Sequence, residues 1–116
     1  MIEMQETREG EVLVLHLTGE LMGGDESAEF QKRVYKAIQD EEVNVVADME
    51  GVKWMNSSGL GMLMGALTTL RSSGGDLRLA RVPERVRRPI VVTKLDGVLS
   101  LHPTVQAAVD SFAEGG

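Results

Sequence analysis

Asn56-Ser57-Ser58-Gly59-Leu60-Gly61 stands between an apolar run at residues 43–49 and a segment at 60–70 whose leucines recur every three or four positions. A change of hydrophobic period from continuous to helical across so short a stretch predicts a strand, a tight turn and an amphipathic helix. Asparagine and serine are favoured helix caps, and glycine lets the backbone of such a turn approach its neighbours. A turn of this kind exposes N–H groups at the positive end of the helix dipole. A hydroxyl placed there is well sited to be phosphorylated or to meet a partner. Without a nearby base it is poorly equipped for catalysis, so the functional question turns on what surrounds it.

Working outward, 116 residues with 42% hydrophobic content suffice for one domain with one core, expected to occupy residues 1–116. The net charge of −6 argues against nucleic acid or an anionic membrane surface as a partner, since both need a basic footprint. The absence of cysteine removes disulfides, thiolate metal sites and thiol catalysis. Met1-Ile2-Glu3-Met4 carries no basic-then-apolar leader pattern, and no apolar run is long enough to span a bilayer. A cytoplasmic location is therefore expected.

Alternation of Ile2 and Met4 with Glu3 and Gln5 predicts a short first strand. A turn at residues 8–11 leads to a second strand at 12–17, and residues 19–24, with Gly23-Gly24, read as a loop. From Asp25 the period becomes helical, with Phe30, Val34, Ala37 and Ile38 on one face. Gly74-Gly75 should stop the central helix, and Leu77, Leu79, Ala80 and Val82 give the next strand. Pro83 opens a helix that Pro89 should break or restart. A short strand at 98–101 and a last helix facing inward through Val105, Ala108, Val109 and Phe112 complete the chain, and Glu114-Gly115-Gly116 should fray. The order β-β-α-β-α-β-α-β-α predicts an α/β fold: a mixed, mostly parallel sheet of about five strands, four helices and a leading hairpin.

The chemical inventory is poor for an enzyme. His16 lies within an apolar strand and His102 beside a proline, and no G-x-S-x-G elbow or clustered metal-ligand spacing occurs. Gly59-x-Gly61-x-x-x-Gly65 resembles a dinucleotide fingerprint, but Met64 stands where the third glycine belongs, and no Gly-Lys-Ser/Thr marks a P-loop. No cofactor and no metal are expected. Met49, Met55, Met62 and Met64 read as core filling. Trp54 reads as a packing anchor with a possible role in partner contact. Arg81, Arg85, Arg87 and Arg88 read as a solvated basic face.

The stretch Asp48-Met49-Glu50-Gly51-Val52-Lys53-Trp54-Met55-Asn56-Ser57-Ser58-Gly59-Leu60-Gly61 closely resembles the signature of STAS domains, most of all the anti-sigma factor antagonists among them. The resemblance continues through Leu17-Thr18-Gly19-Glu20-Leu21, Gly74-Gly75-Asp76-Leu77-Arg78-Leu79-Ala80 and Leu95-Asp96-Gly97-Val98-Leu99 with the Ala107-Ala108 helix, and so covers nearly the whole chain. It implies a switch. In such antagonists the first serine of the pair, here Ser57 with Ser58 as second choice, is phosphorylated by a partner that is both serine kinase and anti-sigma factor. The unphosphorylated form binds that partner and frees a sigma factor, and a serine phosphatase resets the cycle. Asn56, Ser57, Ser58, Gly59, Leu60, Gly61 and Asp25 are the partner-binding residues that the resemblance implies.

The chain departs from the pattern at three points. Asn56 stands where kinase-regulated members usually have aspartate, Asp25 falls late in the loop after Leu21, and Pro89 interrupts a segment that is normally one helix. The alternative readings are a STAS scaffold subunit without phosphorylation, in a signalling or transporter-associated complex, and a nucleotide-binding module.

Overall fold

A computed structural model describes residues 2–113, so the expected fraying at 114–116 lies outside the described residues. The elements follow as β1 (Ile2–Glu9), β2 (Val12–Leu21), α1 (Asp25–Gln39), β3 (Asn44–Met55), α2 (Ser57–Ser72), β4 (Asp76–Ala80), α3 (Glu84–Val92), a 3-10 turn at Leu95–Gly97, β5 (Ser100–His102) and α4 (Val105–Ala113). The five strands lie side by side in chain order. β1 pairs antiparallel with β2, and β2, β3, β4 and β5 are parallel to one another. The predicted α/β architecture, with its mixed sheet and leading hairpin, is therefore the observed one.

Alternation along the strands separates two layers. Leu13, Leu15, Leu17, Val45, Ala47, Met49, Leu77 and Leu79 bury one face against Phe30 and Val34 of α1, Leu63, Leu67 and Leu70 of α2, and Val86 and Ile90 of α3. Among the described residues the opposite face is covered by α4, whose Val105, Ala108, Val109 and Phe112 pack on Val12, Val14, Val46 and Ala80. Met49, Met55 and Met62 are buried and Met64 packs against the same core, as the sequence predicts.

The structure corrects several boundaries. Residues 19–21, expected in a loop, continue β2 and pair with β3 as Gly19↔Val52, Glu20↔Trp54 and Leu21↔Met55, which leaves only residues 22–24 as the connection to α1. Hydrophobic pattern hides this extension because Asp48-Met49-Glu50-Gly51 interrupts the apolar run where the ladder is irregular. Between His16↔Asp48 and Thr18↔Gly51, β3 supplies one more residue than β2. Pro89 does not end α3. Its missing N–H deprives only the carbonyl of exposed Arg85, while Thr93 N–H and hydroxyl both close back on the Pro89 carbonyl and Val86 and Ile90 hold the helix to the core. The last strand begins at Ser100 rather than Val98, because the N–H groups of Val98 and Leu99 both donate to the Leu95 carbonyl. Gly74 (φ 90°) does terminate α2, with Gly75 N–H returning to the Leu70 carbonyl at 2.9 Å.

Candidate functional site

The β3–α2 junction is built on Asn56. Its extended backbone (φ −104°, ψ −175°) turns the chain out of the strand, and its side-chain oxygen accepts the Gly59 N–H at 2.9 Å. This is the asparagine cap that the sequence predicts, except that α2 starts at Ser57. Residues 57–61 are thus the first turn of the helix rather than a loop before it. The Asn56 N–H donates to the Leu21 carbonyl at 3.2 Å, and its side-chain amide donates to the Met22 carbonyl, also at 3.2 Å. One residue therefore caps α2 and holds the end of β2 against it.

Glycine permits the close packing. A Cβ on Gly59 would lie 1.9 Å from the Leu21 carbonyl oxygen, so no larger residue fits without moving backbone. Gly23, at φ +89°, lies so close to Ser58 that an added Cβ would come within 2.8 Å of the Ser58 Cβ. Leu60 is 6% exposed and belongs to the core, so of the predicted binding residues it and the buried Gly59 shape the turn from within. Asn56, Ser57, Ser58 and Gly61 form its outer surface.

Both serines are exposed, and neither hydroxyl hydrogen-bonds to another described residue. The first turn of α2 carries no acidic side chain of its own to offset the positive end of its dipole. The arrangement can receive an anionic group on a serine. Among the described residues no general base lies within hydrogen-bond reach to make either serine a nucleophile. Asp25 is the first residue of α1, across the short connection from Asn56. It is exposed and makes no hydrogen bond to the turn, and Gly24, not a side chain, occupies the cap of α1.

Trp54, two residues before the cap, is 48% exposed rather than a buried anchor, and the Arg85 guanidinium lies 4.5 Å from its ring centroid. The basic cluster read from the sequence divides. Arg85 stacks on Trp54, Arg87 faces Glu84 at 3.8 Å, and Arg81 is recruited elsewhere.

That recruitment forms a polar network that sequence reasoning missed. On the sheet face beyond α4, Asp48 is buried and accepts from Arg81 Nε at 3.0 Å, from an Arg81 terminal nitrogen at 2.6 Å and from His16 Nδ1 at 2.7 Å. His16 Nε2 lies 2.9 Å from the Thr7 hydroxyl, and Arg81 also reaches Glu50 at 3.1 Å. Burial pushes the Asp48 carboxyl up, but the hydrogen bonds from Arg81 and His16 outweigh it and hold the group below the usual aspartate range. Arg81 takes a left-handed backbone (φ 53°), uncommon for a residue with a side chain. The only sequence signal was the charged Asp48 inside an apolar strand, with His16 at the matching place in the strand beside it.

The STAS domain model matches residues 3–108, nearly the full described length. The chain belongs to the STAS domain family. This STAS domain is 27% identical over 114 residues to the anti-sigma F factor antagonist of Paenibacillus polymyxa, covering 97% of this chain and 92% of that one. Its fold is similar to the crystal structure of an anti-sigma factor antagonist from Mycobacterium paratuberculosis, with a TM-score of 0.80, 24% identity and coverage of 96% and 93%. It is also similar to the phosphorylated form of the Bacillus cell fate determinant SpoIIAA, with a TM-score of 0.72, 21% identity and coverage of 95% and 99%. Among the described residues no helix is long and apolar enough to cross a membrane.

Proposed function

We propose that this STAS domain is an anti-sigma factor antagonist whose binding to an anti-sigma factor serine kinase is switched off by phosphorylation of Ser57. The observation that carries this reading is an exposed, unbonded serine at N1 of a capped helix whose first turn holds no acid. A phosphate there meets amide donors and the dipole, so the folded domain tolerates it. The same charge, about −1.5 to −2 at neutral pH, placed inside a packed interface opposes association through desolvation and repulsion. The names of the relatives, and the phosphorylated state of one structural neighbour, agree with that assignment.

The test is binding of Ser57→Asp and Ser57→Ala to the purified anti-sigma factor kinase of the source organism, with intact mass recorded after incubation with ATP. Loss of binding by Ser57→Asp, retention by Ser57→Ala and one added phosphate on the wild type are expected. Equal binding by the two variants overturns the switch. A wild type that binds but gains no phosphate identifies a scaffold subunit, the reading that Asn56 in place of aspartate favours.

A further inference from the structure

The cations of this acidic chain are mostly spoken for. Arg8, Arg33, Arg71, Arg78 and Arg81 each sit within ion-pair distance of a carboxylate. Lys32, Lys53 and Lys94 have no acid beside them among the described residues, and neither do Arg85 and Arg88, the two unpaired arginines, which share one helix. Both arginines are exposed on α3. With Glu84 they line an open depression on the outer side of α3. That first stretch of α3 carries three arginines against one glutamate, and the glutamate's nearest cation is Arg87. The Arg85 guanidinium carbon lies over the half-exposed ring of Trp54, which directly precedes the Met55-Asn56 entry to the serine turn.

A tryptophan and an arginine stacked at the surface combine the two residue types most often dominant in binding energy, and stacking limits what each loses on docking. An unpaired cationic rim on a protein of net charge −6 runs against the charge of the whole and cannot be explained by solubility. We infer that Trp54, Arg85 and Arg88 form a docking surface for an acidic face of the same protein partner that engages Ser57. The inference rests on the proposed function for the partner's presence and adds where, and with what chemistry, it is held. Carboxylates of the partner meet Arg88 and the outer edge of Arg85, while an apolar or aromatic group covers the open face of Trp54. An isologous pairing with a second copy would set Arg85 and Arg88 against the same two arginines, whereas an acidic partner face complements them.

Trp54 is the sole tryptophan, so its emission reports directly on this surface. The experiment titrates the wild-type chain, the double variant R85E/R88E and Trp54→Phe with the purified anti-sigma factor kinase, at low and high salt. In the wild type, binding should shift the Trp54 emission, and affinity should fall as salt rises. R85E/R88E should bind about tenfold or more weakly through slower association, with a flattened salt dependence. Trp54→Phe should dissociate faster with its salt dependence intact. Circular dichroism verifies that both variants fold. Wild-type affinity and salt dependence in R85E/R88E, while Ser57→Asp still abolishes binding, overturn the docking surface and leave the serine switch standing. A wild-type chain that binds no kinase overturns the switch and this surface together. Self-association that R85E/R88E abolishes gives the surface to a second copy and overturns the inference.

Discussion

The side-chain amide of Asn56 donates to the Met22 carbonyl at 3.2 Å while its oxygen takes the Gly59 N–H. Aspartate can perform the second task but not the first, having no donor. Asn56→Asp should therefore keep global stability within about 0.5 kcal/mol of wild type, since both residues cap well. It should nonetheless raise amide exchange at Gly23 and Gly24. Asn56→Ala should lose about 1 kcal/mol in urea denaturation as well. Unchanged exchange at both glycines in Asn56→Asp would show that the bond to Met22 does not hold the connection.

Gly59 and Gly61, two positions apart in the same helix, should answer to alanine with opposite signs. Gly59→Ala drives a methyl into the Leu21 carbonyl, backbone that cannot swing aside, and should cost roughly 3 kcal/mol or more. Gly61 has nothing within 4 Å of where its Cβ would be and sits in the same helix, so Gly61→Ala should gain about 0.5–1 kcal/mol. Chemical denaturation of the two variants side by side decides it. A Gly61→Ala protein that is more stable yet binds its partner less well would place the partner on the outer face of this turn.

What the sequence made legible was whatever rests on period and local chemistry. The leucines of α2, the inward face of α1, the Asn56 cap and the Gly74-Gly75 stop all depend on neighbours within a turn or two. What it concealed depends on distant partners. The extension of β2 through Leu21 is held by β3 residues more than thirty positions away, and the irregular ladder at Gly51 breaks the alternation that would have announced it. Pro89 misled because a proline's cost depends on which carbonyl loses its donor, and that of exposed Arg85 is a tolerable loss. Trp54 misled because a large ring reads as core unless one knows that α3 offers it a guanidinium instead of a pocket.

Asp48 should make the domain sensitive to acid in a defined direction. Its carboxyl titrates lower when folded than when unfolded, so its contribution is fully present above the unfolded value of about 3.9 and disappears as pH falls through the lower folded one. Asp48→Asn keeps the shape but gives up the charge-assisted bonds to Arg81 and His16, which at neutral pH should cost roughly 2–3 kcal/mol. Urea midpoints of wild type and Asp48→Asn should lie well apart at pH 7 and converge below about pH 4. A gap that stays constant into acid would mean that the ionised carboxylate is not what the network supplies.

Ser57 offers the sharpest separation of folding from binding. At N1 of a sixteen-residue helix with no acid in its first turn, an added negative charge meets the positive end of the dipole. Ser57→Asp should therefore be as stable as Ser57→Ala or more so, by about 0.3–1 kcal/mol at low salt, with the difference shrinking as salt rises. Thermal melts across a salt series measure this without any partner. Ser57→Asp melting below Ser57→Ala at low salt would mean that charge at this position strains the fold itself. Loss of partner binding in that variant would then report damage rather than a switch. The predicted order leaves the domain intact while the interface alone is penalised, which is what a reversible signal on this serine requires.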